Sequence, residues 1–121
     1  MPQGGIDDGE RADDAALREL TEETGIAASS VAIVAQTRDW LPYELPSELV
    51  GKLWGGKFRG QRQKWFCVTF LGDDGEINIV QDHQEFSEWK WMKADDVLAS
   101  IVPFKREIYA EVLGEFKPFL A

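Results

Sequence analysis

The spacing of apolar positions changes along the chain, and each change marks an element. Between residues 12 and 24, Ala16, Leu17, Leu20 and Thr24 form one side of a helical wheel, with charged residues between them. This predicts a helix from about Ala12 to Thr24. Gly25 suits its C-cap. Arg11 is a poor N-cap, but Asp13 and Asp14 complement the dipole in the first turn. Val31 to Thr37 is rich in β-branched residues and reads as a strand. Prolines and glycines break up Trp40 to Gly60, which reads as a long loop.

Alternation returns from Gln63 to Gly72. Trp65, Cys67 and Thr69 face one way, Phe66, Val68 and Phe70 the other. Both faces are mostly apolar, which predicts a central strand covered on both sides. Asp73-Asp74-Gly75 is a turn. Ile77 to Val80 reads as a short strand or bridge. Phe86 to Met92 reads as a further strand with Trp89 and Trp91 on one face. Ala94 to Ala99 suits a short helix. Pro103 opens a last helix, with Phe104, Ile108, Val112 and Phe116 at i+4 spacing and Tyr109 and Leu113 beside them. Helices around strands predict an α/β sandwich, and 121 residues suit one domain spanning 1–121.

Composition narrows the class. With 44% hydrophobic and 12% aromatic residues, the chain can bury a core. No apolar run approaches the length of a membrane span, and no basic-then-apolar leader follows Met1. Cys67 is the only cysteine, which excludes an internal disulfide. The expectation is a cytoplasmic protein with no membrane association and no evident stable protein partner. A net charge of −9 argues against loose, charge-driven binding of nucleic acid. The charge is uneven, however. Eight of the 22 acids fall between residues 7 and 23, whereas Leu49 to Gly72 holds none and carries Lys52, Lys57, Arg59, Arg62 and Lys64. An acidic centre for cations beside a basic segment for anions suits a metal-bridged phosphate substrate.

The acidic centre has a pattern that a helix would not choose for its own stability. Glu19, Glu22 and Glu23 share one helical face at i, i+3 and i+4, in the last turns before Gly25. Like charges at that spacing repel, and negative charge at a helix C-terminus opposes the macrodipole. A bound hard cation would relieve both penalties, and carboxylate oxygens favour such ions.

Gly4, Glu10, Arg18, Glu19, Leu20, Glu22, Glu23, Gly25 and Ile26 stand in register with the Nudix box, G-x5-E-x7-R-E-U-x-E-E-x-G-U, where U is bulky and aliphatic. A solvated acidic helix would explain the charges but not the register of Gly4, Glu10, Arg18 and Gly25. The segments M-P-Q-G-G-I-D, W-L-P-Y-E-L-P, L-W-G-G-K-F-R-G-Q-R-Q-K-W-F, E-F-S-E-W-K-W and I-V-P-F-K-R-E-I-Y extend the resemblance over the whole chain. They are similar to a Nudix subfamily that contains RNA pyrophosphohydrolases and dinucleoside polyphosphate hydrolases.

The resemblance implies a Nudix-type α/β/α sandwich with a mixed sheet. It also implies hydrolysis of phosphoanhydride bonds in 5′-triphosphorylated RNA ends or in (di)nucleoside polyphosphates. Mg2+ or Mn2+ would serve, with more than one ion. By position, the Gly4 carbonyl and the carboxylates of Glu19, Glu22, Glu23 and Glu85 would hold metal, and the same four glutamates form the catalytic set. Glu22 and Glu85 are the two candidates for general base. Arg18 and Glu10 would pair and orient the helix. Tyr43 would lie near the phosphates, Val102 and Phe104 would sandwich the base, and Lys105 would supply positive charge. Without the resemblance other readings stand: Glu85 as a loop acid, Tyr43 as a cover for the core, Phe104 as the first core residue of the last helix, Lys105 as a solvated cation. His83 reads as a bystander and Cys67 as buried and inert.

In one respect the chain departs from the family pattern. It starts at Met1-Pro2-Gln3-Gly4, where family domains place additional strands upstream. The expectation is an N-terminally truncated domain, and the alternative function is a weak or inactive fragment that binds metal and nucleotide.

Overall fold

The computed structural model describes residues 1–44, 60–81 and 84–120. Lys52, Lys57, Arg59 and His83, singled out above, lie outside the described residues. The chain forms two compact units, Met1–Ala35 with Phe66–Trp91 and Gln36–Trp65 with Met92–Ala121.

The first unit is built on helix α1, Ala12–Thr24. The predicted bounds hold for the predicted reasons. Arg11 makes no side-chain cap, Asp13 and Asp14 occupy the first turn, and Gly25 closes the helix in the left-handed region at φ 75°. There its N–H donates to the Thr21 carbonyl at 2.9 Å. Ala15 and Ile26 are buried, and so is Glu23, unusually for a carboxylate.

Strand β1 is Val31–Gln36. The two strands that follow it in sequence, β2 (Leu41–Glu44) and β3 (Gly60–Gln63), belong to the other unit. Strand β4, Phe66–Phe70, pairs with β1. The Leu71 N–H, just past β4, donates to the carbonyl of Ser30, just before β1, at 2.7 Å, so the two strands run antiparallel. Among the described residues β4 has this one neighbour, not the two of a central strand.

Neither Ile77 to Val80 nor Phe86 to Met92 forms a strand. Three donors of the first are used elsewhere: the Ile77 N–H bonds to the Asp74 carbonyl at 3.1 Å, the Asn78 N–H to the Thr24 carbonyl at 2.7 Å, and the Val80 N–H to Asn78 Oδ1 at 3.0 Å. The second is held by side chains instead of a ladder. Trp91 stacks on Phe70 at 5.9 Å, meets Trp89 edge-on at 6.1 Å, and donates through Nε1 to Asp74 Oδ1 at 2.9 Å.

In the second unit, β2 and β3 pair antiparallel, with Leu41 opposite Gln63 and Tyr43 opposite Gln61. Sequence reading placed Leu41 to Glu44 in a loop because of Pro42. In a two-stranded ladder each strand is an edge, where a missing N–H is tolerated. The predicted strand from Gln63 to Gly72 is therefore two strands, with Lys64 and Trp65 between them. Trp65 turns aside to Thr37: its N–H donates to Thr37 Oγ1 at 3.1 Å, and its carbonyl accepts from the Thr37 N–H at 2.8 Å. Thr37 is fully buried, and this pairing satisfies it.

Helix α2 is Ala94–Ser100 and helix α3 is Arg106–Phe116. Ile108, Tyr109, Val112 and Phe116 of α3, with Leu41 and Tyr43, form the core, where Trp65 meets Tyr109 edge-on at 5.2 Å. The predicted stripe fails only at Phe104. A short 3-10 turn, Pro103–Lys105, precedes α3 and turns Phe104 out of the helical register. The α/β class is as read from the sequence, but among the described residues the sheet is two antiparallel ladders, not one mixed sheet.

Candidate active site

In the first unit, residues 3 to 10 fold back onto α1, and Arg18 fastens them. Its Nε donates to Glu10 Oε2 at 2.9 Å, and its Nη2 to Glu10 Oε1 at 3.0 Å and to the Gly5 carbonyl at 2.8 Å. Its Nη1 reaches Glu19 Oε1 at 2.8 Å and Glu22 Oε2 at 3.3 Å. Asp7 lies 3.7 Å from the same guanidinium. The fork geometry of arginine makes this possible; a lysine ammonium could not hold Glu10 through two separate nitrogens. Arg18 holds the Glu10 carboxyl below its ordinary range, and Glu10 and Glu19 in turn raise the guanidinium further.

Glu19 and Glu23 meet the N-terminal segment directly. The Glu19 carboxylate lies against Gly4, in space that any side chain at position 4 would occupy. Glu23 is 8% exposed, and its Oε2 accepts from the Gln3 N–H at 2.9 Å. Burial pushes the Glu23 carboxyl up, the Gln3 N–H opposes this, and the charges of Glu19 and Glu85 reinforce it. Glu85 therefore comes within electrostatic reach of Glu23 across 62 positions of sequence.

The donors available here are carboxylate oxygens and a backbone carbonyl, the set that hard divalent cations prefer. Among the described residues no three acidic, imidazole or thiol groups converge on a single point. Glu19 and Glu22 are turned onto Arg18 Nη1, and Glu23 onto the Gln3 N–H. The site thus fits a divalent cation in donor type, with Arg18 supplying the positive charge that the glutamates face.

Tyr43, Val102, Phe104 and Lys105 belong to the second unit. Phe104 is 39% exposed, and its ring lies 6.4 Å from that of buried Tyr43 at an interplanar angle of 22°. Phe104 is therefore not a core residue of α3. Val102, also exposed, starts the same turn, and its carbonyl accepts from the Lys105 N–H at 3.0 Å. Tyr43 does cover the core, and burial pushes its hydroxyl up.

Sequence reading missed two backbone groups, the Gln3 N–H and the Gly5 carbonyl. Main-chain groups leave no residue-type signature. Their one signal was position, on either side of Gly4.

Comparison with known proteins gives a consistent result. The NUDIX domain model matches residues 1–112. An RNA pyrophosphohydrolase of Cereibacter sphaeroides (strain ATCC 17029 / ATH 2.4.9) is 59% identical over 121 residues, which cover 100% of this chain and 75% of the relative. One from Dinoroseobacter shibae is 53% identical over 120 residues, 99% of this chain and 75% of the relative. A third, from Wolbachia pipientis subsp. Culex pipiens, is 47% identical over 121 residues, covering 99% and 74%. With the box residues assembled around Arg18 and the family model spanning nearly the whole chain, the chain belongs to the NUDIX family.

Proposed function

We propose that this chain is a pyrophosphohydrolase that cleaves a phosphoanhydride bond at the 5′-triphosphate end of RNA, with Mg2+ or Mn2+ bound at Glu19, Glu22, Glu23 and the Gly4 carbonyl. The observation that carries this reading is the Arg18 network. It brings Glu10, Glu19, Glu22 and Gly5 to one guanidinium, with Glu19 against Gly4. RNA ends are favoured over dinucleoside polyphosphates because the relatives at 47–59% identity carry that activity in their names.

The chemistry needs charge relief, since the oxygens of a phosphoanhydride repel an anionic nucleophile. A bound divalent cation neutralises that charge and lowers the pKa of water. The chain's own groups do the rest. Arg18 and Glu10 fasten the N-terminal segment to α1, which keeps the Glu19 and Glu23 carboxylates beside residues 3 and 4. Glu22 and Glu85 are the available proton acceptors. Phe104, exposed beside Tyr43, offers a flat face for a base.

The test is pyrophosphate release from a 5′-triphosphorylated RNA oligonucleotide with Mg2+ or Mn2+, run beside a dinucleoside tetraphosphate. Faster cleavage of the RNA supports the reading. Preference for the dinucleotide would move the substrate class, and metal-independent cleavage would overturn the mechanism.

A further inference from the structure

The last turns of α1 carry Glu19, Glu22 and Glu23, and both their mutual repulsion and the helix dipole favour unwinding there. Several bonds oppose it. The Gly25 N–H donates to the Thr21 carbonyl at 2.9 Å, and the Asn78 N–H to the Thr24 carbonyl at 2.7 Å. Two hydroxyls add to these. Thr24 Oγ1 donates to the Leu20 carbonyl at 2.6 Å and accepts from the Ile26 N–H at 3.3 Å. Thr21 Oγ1 lies 2.6 Å from the Ile26 carbonyl oxygen and 3.1 Å from that of Leu17.

A threonine that bonds the carbonyl four residues back usually weakens a helix slightly. Here the same two oxygens also reach forward, past Gly25. A hydroxyl has one proton, and the nearer acceptor for Thr21 is Ile26. Both backbone polar groups of Ile26 are thus held by the preceding helix, the N–H by Thr24 and the carbonyl by Thr21. Ile26 is buried, so these groups need partners within the protein. The two threonines bracket Glu22 and Glu23 in sequence. Glu23 is itself buried against the Gln3 N–H, and Glu22 faces Arg18, so both depend on the turn between the threonines staying wound.

We propose that Thr21 and Thr24 are positioning residues, whose hydroxyls clamp the two backbone groups of Ile26, keep the last turn of α1 wound against the charge it carries, and so hold Glu22 and Glu23 in place for a divalent cation. The inference rests on the reading of these glutamates as metal ligands. Neither threonine touches a reacting group; each acts through the backbone of the turn. Without the hydroxyls the turn unwinds in part of the molecules, and apparent affinity for the ion falls in proportion to the fraction that stays wound. Because the ion binds only the wound form, a saturating concentration restores it.

The test compares the parent with Thr21→Val/Thr24→Val, Thr21→Ser/Thr24→Ser, Glu22→Gln and Glu23→Gln. Valine keeps the β-branched shape without the hydroxyl, and serine keeps the hydroxyl. Mn2+ affinity, read from the electron paramagnetic resonance signal of the free ion, needs no substrate. The valine pair should bind Mn2+ about 10-fold more weakly, the effect of losing one or two hydrogen bonds. Its amide hydrogen exchange at Gly25 and Ile26 should be faster than the parent's, and added Mg2+ should slow it again. Turnover of a 5′-triphosphorylated RNA oligonucleotide should need about 10-fold more Mn2+ for half-saturation, yet approach the parental kcat once saturated. The serine pair should match the parent in all three readouts. A lower melting temperature with unchanged Mn2+ affinity in the valine pair would overturn the positioning role and leave the threonines structural. A serine pair as weak as the valine pair would overturn it too. Parental Mn2+ affinity in both Glu22→Gln and Glu23→Gln would instead remove the metal reading, and this proposal with it. If the valine pair does not fold, Thr21→Val alone, at an exposed position, takes its place in the same comparison.

Discussion

The carboxylate of Glu19 rests against the α-carbon of Gly4, in the space a side chain at position 4 would need. The glycine is demanded by that close approach, and its backbone lies outside the left-handed region. Gly4→Ala should displace Glu19, whose other oxygen contact is Arg18 Nη1 at 2.8 Å. The expected result is a fall in kcat/KM of about 100-fold, since a misplacement near 1 Å costs that much. The melting temperature should change by only a few degrees. A variant with parental kinetics would show that the Glu19 carboxylate can shift without consequence.

Replacing Glu22 or Glu23 by Gln keeps shape and removes charge. Loss of transition-state stabilisation should be on the order of several kcal/mol. Measured kcat/KM with Mg2+ beside a thermal melt checks this, since the fold should persist.

Glu23 also sets a pH dependence, and its sign is the reverse of Glu10's. Burial raises the Glu23 pKa in the folded state, so the native chain binds that proton more tightly than the unfolded chain. Its contribution favours the fold at acidic pH and is lost as pH rises through the raised value. Glu10, held down by Arg18, stabilises above its unfolded pKa and loses that contribution as pH falls. Without metal, Glu23→Gln should therefore raise the melting temperature more at pH 7 than at pH 4, and Glu10→Gln should lower it more at pH 7. Equal shifts at both pH values for Glu23→Gln would contradict the burial argument.

Phe104→Ala should raise KM for RNA more than it lowers kcat, by an amount matching about 1–3 kcal/mol of stacking. Because the ring is 39% exposed, the variant should melt close to the parent. A large drop in melting temperature with unchanged kinetics would return Phe104 to the core.

Cys67, expected to be buried, is half-buried; that partial burial still pushes its thiol up, and the thiolate is the reactive form. Reaction with a disulfide reagent at pH 7 should be slow in the folded protein and speed up on unfolding in urea. Rapid reaction in the folded state would contradict the burial.

How much of this was legible depended on range. Helix α1 was readable to its bounds because its signals are local: acids in the first turn, apolar spacing of 3 and 4, glycine at the end. The box residues were readable because they lie within 23 positions of one another. Strand boundaries were not. The apolar run from Gln63 to Gly72 carries no mark of the change in partner at Lys64 and Trp65, because that change is set by distant Thr37. Trp89 and Trp91 have strand-like spacing, yet their segment is fixed by Phe70 and Asp74. Phe104 fitted the helical stripe in sequence and left it in space because Pro103 begins a tighter turn.

Arg18 has five N–H donors, and the structure gives each an acceptor: two on Glu10 and one each on Gly5, Glu19 and Glu22. A fully committed guanidinium leaves no slack. If any one acceptor is removed, the guanidinium is free to re-seat among the remaining four, so disturbances at Gly5, Glu10, Glu19 and Glu22 arrive at the same place. Mutational costs in this stretch should therefore refuse to add. A scan of it, one residue at a time, would return nearly the same number again and again, the number belonging to the knot and not to any of its strings.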